Sequence, residues 1–190
     1  MTNTDSEDKK TGKTGRTVLF VILIFIAIGL WGGAMALYGR TSVEWMLPLA
    51  VGLFMAALTL RPLSRMWKWL LESESSLLAG TVHILAMTGV FAFLFLGANY
   101  WLADDSTLHE ERVALLSRDR EKRYHRRRVG RHRYVRGNPY YVYYITVRLP
   151  DGREKRMQTT LGFYNSLTRK DSVTLEMESG GLGMPVIRQK

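Results

Sequence analysis

TVLFVILIFIAIGLWGGAMALY, residues 17–38, runs for 22 positions without a charged side chain. A hydrocarbon core about 30 Å thick takes roughly 20 residues of helix at about 1.5 Å each. No water reaches the backbone there, so an isolated segment of this length satisfies its own N–H and C=O groups only as a helix. Residues 77–102, LLAGTVHILAMTGVFAFLFLGANYWL, repeat the pattern, with His83 the one side chain able to carry positive charge. Residues 45–60, WMLPLAVGLFMAALTL, form a shorter stretch of 16. Extension back to Ser42, or on through Arg61 to Leu63, brings it to spanning length. Pro48 lies in its first turn, where a missing N–H costs little. The chain thus divides into a polar arm, residues 1–16, a transmembrane region, residues 17–102, and a soluble β domain, residues 103–190. The spans fall at about 17–38, 43–62 and 77–102. A cleaved leader is the competing reading of the first stretch, because Lys9, Lys10, Lys13 and Arg16 precede it and small residues follow at 32–36. Its apolar run is longer than the ~7–15 residues of such leaders.

Lys and Arg near span ends favour the cytoplasm. Four precede the first span, and Arg61, Arg65 and Lys68 follow the second, whereas only Arg40 lies between the first two. Three crossings then put the N-terminus in the cytoplasm and the C-terminal domain in the periplasm or outside the cell. Tyr38, Trp45, Tyr100 and Trp101 become outer interfacial anchors, and Trp67 and Trp69 inner ones. The side reached by the C-terminal domain depends on the second stretch crossing. Residues 65–76, RMWKWLLESESS, read either as a short helix along the inner interface or as a plain connection.

Past residue 104 the period changes. Residues 113–116, VALL, and 140–149, YYVYYITVRL, suit a pleated surface. Pro150-Asp151-Gly152 predicts a hairpin turn, with residues 153–160 as the returning strand. Residues 161–168 read as a single helical turn. Val173, Leu175 and Met177 alternate on one face of a further strand, and residues 184–188 form a last one after a glycine-rich turn. Four or five strands in about 85 residues give the expected fold class. It is α+β, three transmembrane helices followed by a small antiparallel β-barrel-like domain of OB or SH3 type.

Tyr164, Leu167, Val173, Leu175, Gly183 and Pro185 carry a resemblance over roughly the last 80 residues. They follow the C-terminal β-domain pattern of uncharacterised bacterial inner-membrane proteins with a few N-terminal spans. Lys170 stands where that pattern has a glycine. The resemblance implies a bacterial inner-membrane location and this architecture, and no activity.

There is no cysteine, which removes disulfides, thiolate catalysis and cysteine metal sites. The GKT at residues 12–14 lacks the earlier glycine of a phosphate loop, whose place Glu7 occupies. His125 and His132 lie among arginines, a field that repels cations. With no paired carboxylates, nucleophile–base set or metal cluster, no catalytic residue, cofactor or metal is assigned, and the protein reads as non-enzymatic. His83 is a candidate intramembrane polar site; the plainer reading is an imidazole hydrogen-bonded to a neighbouring helix. Gly29, Gly33, Gly52 and Ala56 are candidate helix-packing positions, within one chain or in a homo-oligomer.

The densest feature is the basic arm, residues 118–136, where ten of 19 residues are Lys or Arg against Asp119 and Glu121. RYHRRR-VG-RHRYVR is roughly palindromic about Val129-Gly130, as a strand folding back on itself would be. Arg123, Arg126, Arg127, Arg128, Arg131, Arg133 and Arg136 are the candidate contacts to an anionic partner, with Tyr124, Tyr134, Tyr140 and Tyr141 interleaved. Membrane lipid with anionic headgroups or an envelope polymer, an unknown acidic protein and a solvated arm without partner all fit. A domain outside the cytoplasm disfavours nucleic acid. The function expected is a scaffold that binds a partner at the membrane surface. A small transporter or channel subunit using His83, or an accessory subunit of a larger membrane complex, is the alternative.

Overall fold

The computed structural model describes residues 4–129, 133–167 and 171–188, with side chains from Thr14 onward. The order is α1 (Thr4–Arg40), α2 (Met46–Leu71), α3 (Ser76–Trp101), β1 (Asp104–Arg128), β2 (Tyr134–Arg148), β3 (Glu154–Thr159), α4 (Leu161–Ser166), β4 (Ser172–Ser179) and β5 (Pro185–Arg188). Thr14–Arg40, Met46–Leu71 and Ser76–Trp101 are long and apolar enough to cross a membrane. The second apolar stretch is part of a longer helix than expected. α2 runs through Pro62 and absorbs the segment read as an interfacial helix or connection, up to Glu72 in the left-handed region (φ 48°). Arg61, Arg65 and Lys68 interrupt the hydropathy there without interrupting the helix.

The chain divides into two compact units. The first comprises Met1–Leu108 and Glu178–Ile187. In it α3 is flanked by both other helices. Trp31 of α1 lies against Gly89, where an added Cβ would come within 2.2 Å of the indole, and its Nε1–H donates to the Leu85 carbonyl at 2.9 Å. One apolar cluster gathers Ala27, Trp67, Leu70, Ala79 and Ala86; another gathers Ala34, Leu37, Val43, Ala92 and Leu96. Asn99, fully buried near the end of α3, ties the C-terminal segment to the helices. Its Oδ1 accepts from Leu182 N–H (3.1 Å) and Met184 N–H (3.3 Å), its Nδ2–H donates to the Met184 carbonyl (3.0 Å), and its backbone carbonyl accepts from Gly181 N–H (2.9 Å). Gly180 permits this approach, because a Cβ there would meet the Asn99 amide at 2.3 Å. The link after α1 joins the same region: Ser42 N–H donates to the Pro185 carbonyl at 2.7 Å, and Thr41 bridges Val186.

The second unit comprises His109–Met177 and Arg188–Lys190. The sheet is antiparallel in its β1–β2 and β2–β3 pairings, with strand order β3-β2-β1-β4-β5. It is open, which corrects the expected OB- or SH3-like barrel. Closure needs edge strands of comparable length that meet at a matched stagger. Here the edges have 6 and 4 residues, against 25 in β1 and 15 in β2. β3 pairs only with residues 143–148 of β2. The hairpin between β2 and β3 forms at the expected turn. Gly152 N–H donates to the Leu149 carbonyl (2.9 Å), Gly152 takes φ 82°, and Asp151 Oδ1 accepts from Arg153 N–H. Ile145 and Met157 face each other across β2 and β3, and Val147 shares their face; all three are buried.

Lys155, paired with Val147, is half-buried on the edge strand β3. Burial, helped by the Arg153 charge, lowers its ammonium from 10.5 to about 8. The unfolded lysine stays protonated up to about 10.5, so between the two values the unfolded chain binds more protons and stability rises with pH. Below about 8 both states are charged and the burial cost is present in full. Two outcomes follow for the full chain in detergent. The melting temperature should rise between pH 8 and 10, and Lys155→Met should remove that rise while melting higher at pH 7. Asn99→Ala should destabilise the first unit by about 2–4 kcal/mol, since two N–H donors and a carbonyl lose a buried partner. Thermal unfolding, with protease cleavage within residues 178–187, reads this out.

Candidate functional site

The basic arm is a two-stranded antiparallel hairpin. Cross-strand partners run from Arg118↔Ile145 through Arg123↔Tyr140 to Arg126↔Arg136, Arg127↔Val135 and Arg128↔Tyr134. Val129 N–H donates to the Arg133 carbonyl at 2.8 Å, which extends the pairing to the last described residues. The palindromic sequence therefore folds back on itself. Arg123, Arg126, Arg127 and Arg128 lie within β1 and Arg136 within β2; Arg133 immediately precedes β2. Arg123, Arg126, Arg127, Arg128 and Arg136 are thus strand residues and not appendages outside the sheet. Arg131, with Gly130 and His132, lies outside the described residues.

The register shifts twice. Leu116 is an extra residue in β1 between the pairs Leu115↔Val147 and Ser117↔Thr146. Gly137 and Asn138 of β2 together oppose His125. An added Cβ at Gly137 would lie 3.0 Å from the His125 carbonyl oxygen, a tight approach at the second bulge. His125 stacks on Tyr140 there, ring centroids 4.5 Å apart. An open hollow of ≈ 560 Å³ at this point is lined by arm residues from Arg123 to Tyr140. Rings carry cations along the arm: Arg136 lies 5.1 Å and Lys122 5.6 Å from the Tyr124 centroid, and Arg120 5.4 Å from that of Tyr141. Contacts of this kind are worth about 0.5–1 kcal/mol at exposed sites.

Glu121 accepts from Arg123 (3.0 Å) and Arg156 (2.8 Å), which hold its carboxyl below the usual carboxylate range. Arg123 also donates to the Tyr144 hydroxyl at 2.7 Å. At the base of the arm, Arg118 donates to the Tyr164 carbonyl of α4 and lies over its ring.

His83 belongs to the helical unit. It is fully buried on α3 and engages α2 with both ring nitrogens. Trp67 Nε1–H donates to Nδ1 at 2.8 Å. An indole nitrogen only donates, so Nδ1 carries no hydrogen and the proton sits on Nε2. Nε2–H donates to the Ala56 carbonyl at 2.9 Å, with Thr59 Oγ1 at 3.2 Å. Of the packing candidates, Gly52 faces α3, where a Cβ would fall 2.6 Å from the Thr88 carbonyl oxygen, and Ala56 is fully buried. Gly33 faces Phe93 of α3, while a Cβ on Gly29 would meet nothing within 4 Å.

Asn99 escaped the sequence reading. A lone amide near the end of an apolar helix, with a Gly-Gly turn later in the chain, is the signal that could have found it. No family model, curated protein or solved structure matches this chain, so the resemblance drawn from residues 164–185 identifies no family.

Trp67→Phe should weaken the α2–α3 contact by about 1–2 kcal/mol, because Nδ1 loses a buried donor. Denaturant titration in detergent micelles measures this. His83→Leu should give a loss of similar size by leaving the indole N–H unpaired.

Proposed function

We propose that this is a non-enzymatic multi-pass membrane protein whose β domain docks a partner at the membrane surface through its basic hairpin. The observation that carries the reading is the hairpin itself. β1 and β2 continue past the end of β3 as an exposed two-stranded arm rich in arginine and tyrosine. The membrane assignment rests on the helices. Phe25, Ile28, Phe54, Leu58, Leu77 and Leu85 are exposed on their outer faces, an apolar surface suited to lipid and unsuited to water. The charges flanking the spans support a cytoplasmic N-terminus and a C-terminal domain in the periplasm or outside the cell. The bacterial inner membrane is the proposed location.

Two experiments test this. A reporter active only outside the cytoplasm should work when fused after Lys190 and stay silent after Ser73; a silent Lys190 fusion overturns the orientation. For docking, a photo-crosslinking amino acid at Tyr134 should capture a partner in native membranes. Glu121 and Val142 are directly paired, so residues 122–141 can be replaced by Asn-Gly as a two-residue turn that keeps the register. A crosslinker placed at Arg118, below the cut, should capture the same partner in the full-length protein and lose it in the shortened one, while His83→Leu keeps it. Capture that survives removal of the arm overturns the docking role.

A further inference from the structure

Alternation along the register gives the arm two unlike faces. Paired residues share a face, and neighbours along a strand point to opposite ones. From Ser117 onward, β1 therefore places Asp119, Glu121, Arg123 and Arg127 on one face, with Thr146, Tyr144 and Tyr140 opposite them. The hydrogen bonds agree: Glu121 accepts from Arg123 and Arg156, and Arg123 donates to the Tyr144 hydroxyl. Both acidic residues of the arm fall on this face, where Arg123 and Arg156 pair with Glu121 and the Ser117 hydroxyl donates to Asp119.

Among the described residues of the arm, the other face carries no acid. It carries Arg118, Arg120, Lys122, Arg126 and Arg128 from β1 and Arg136 from β2. Between them stand Tyr124, Tyr134 and Tyr141. Nearer the base, this same face holds Ile145, Val147 and Met157, so the buried face of the sheet continues outward as a ladder of cations and rings.

We propose that the acid-free face of the arm is the docking surface, and that its occupant is an anionic phospholipid surface. This rests on the reading above that the arm docks a partner. Charge complementarity favours phosphate, since five arginines and a lysine gather on a face whose described residues include no carboxylate, while both carboxylates of the arm lie on the other. A guanidinium lying on a ring keeps its N–H edges for an oxyanion. Tyrosine suits the headgroup layer, with an apolar body and a polar tip. Three helices long and apolar enough to span keep the chain in a bilayer, so phospholipid is the polyanion at highest local concentration.

The test uses the full chain in nanodiscs of zwitterionic lipid and added phosphatidylcholine vesicles with or without phosphatidylglycerol. Wild type should cosediment with the anionic vesicles only, and less so from low to physiological salt. The double variants Arg126→Gln/Arg128→Gln and Arg123→Gln/Arg127→Gln remove equal charge from opposite faces. The first should weaken binding at least about tenfold, the second at most about twofold. In vesicles with brominated acyl chains, a tryptophan introduced by Tyr134→Trp should be quenched, and one introduced by Val135→Trp should not. Equal losses in the two doubles, or equal quenching, overturn the choice of face and leave the docking role standing. Wild-type binding to neutral vesicles as strong as to anionic ones overturns lipid as the occupant, and the crosslinks from Tyr134 then judge the docking role separately. Tighter binding of a short single-stranded RNA than of the anionic vesicles also overturns lipid.

Discussion

A single extra residue, Leu116, decides which way every later side chain of β1 points. Side chains alternate with period 2, so a one-residue slip moves a whole strand's set to the opposite face. Below the bulge, Val113 and Leu115 share the face of Val147. Without the bulge, Ser117, Asp119 and Glu121 would continue on that face and carry two carboxylates onto the buried side of the sheet. With it, the acids turn to the solvated side, where Glu121 meets Arg123 and Arg156. Arg118 instead takes the buried-side register, where the Tyr164 ring and carbonyl receive its guanidinium. Core and arm thus depend on one irregularity in an otherwise continuous ladder.

What was legible in the sequence follows the range of the forces involved. Helix existence in the apolar stretches is a local property of length and composition, and it read correctly. The end of α2 did not, because Arg61, Arg65 and Lys68 look like the end of a span although Leu63, Trp67 and Leu70 keep packing inward. The Pro-Asp-Gly hairpin was readable since one glycine and one aspartate define it. Barrel closure was not, since it depends on how far non-neighbouring strands pair. The two faces of the arm were written in residues 118–122, Arg-Asp-Arg-Glu-Lys, an alternation of charge sign with the period of a strand. Reading it as a charge run hid that period.

Four of the larger polar side chains among the helices turn toward another helix or toward the C-terminal segment and find a partner there. His83 and Trp67 satisfy each other between α2 and α3, Trp31 reaches the Leu85 carbonyl, and Asn99 takes the backbone of residues 181–184. In hydrocarbon an unmade hydrogen bond costs several kcal/mol, so this distribution leaves the outer surfaces to Phe, Ile and Leu. Gly29, with open space beside it, lies on that outer side of α1, whereas Gly33 and Gly52 face α3.

The arm breaks a stability rule that the other β1–β2 and β2–β3 pairs obey. Arg126 stands directly opposite Arg136, and like charges in a cross-strand pair destabilise a sheet. Tyr124 offsets part of this by taking Arg136 onto its ring. A two-stranded ribbon of this composition is marginal by itself. It is continuous with a base where Ile145, Val147 and Met157 are buried, and that continuity supplies the stability the tip lacks. Replacing one arginine of the pair by threonine would relieve the repulsion at once. A sequence that keeps both, on the face without acids, departs from stability where function is the usual reason for such a departure.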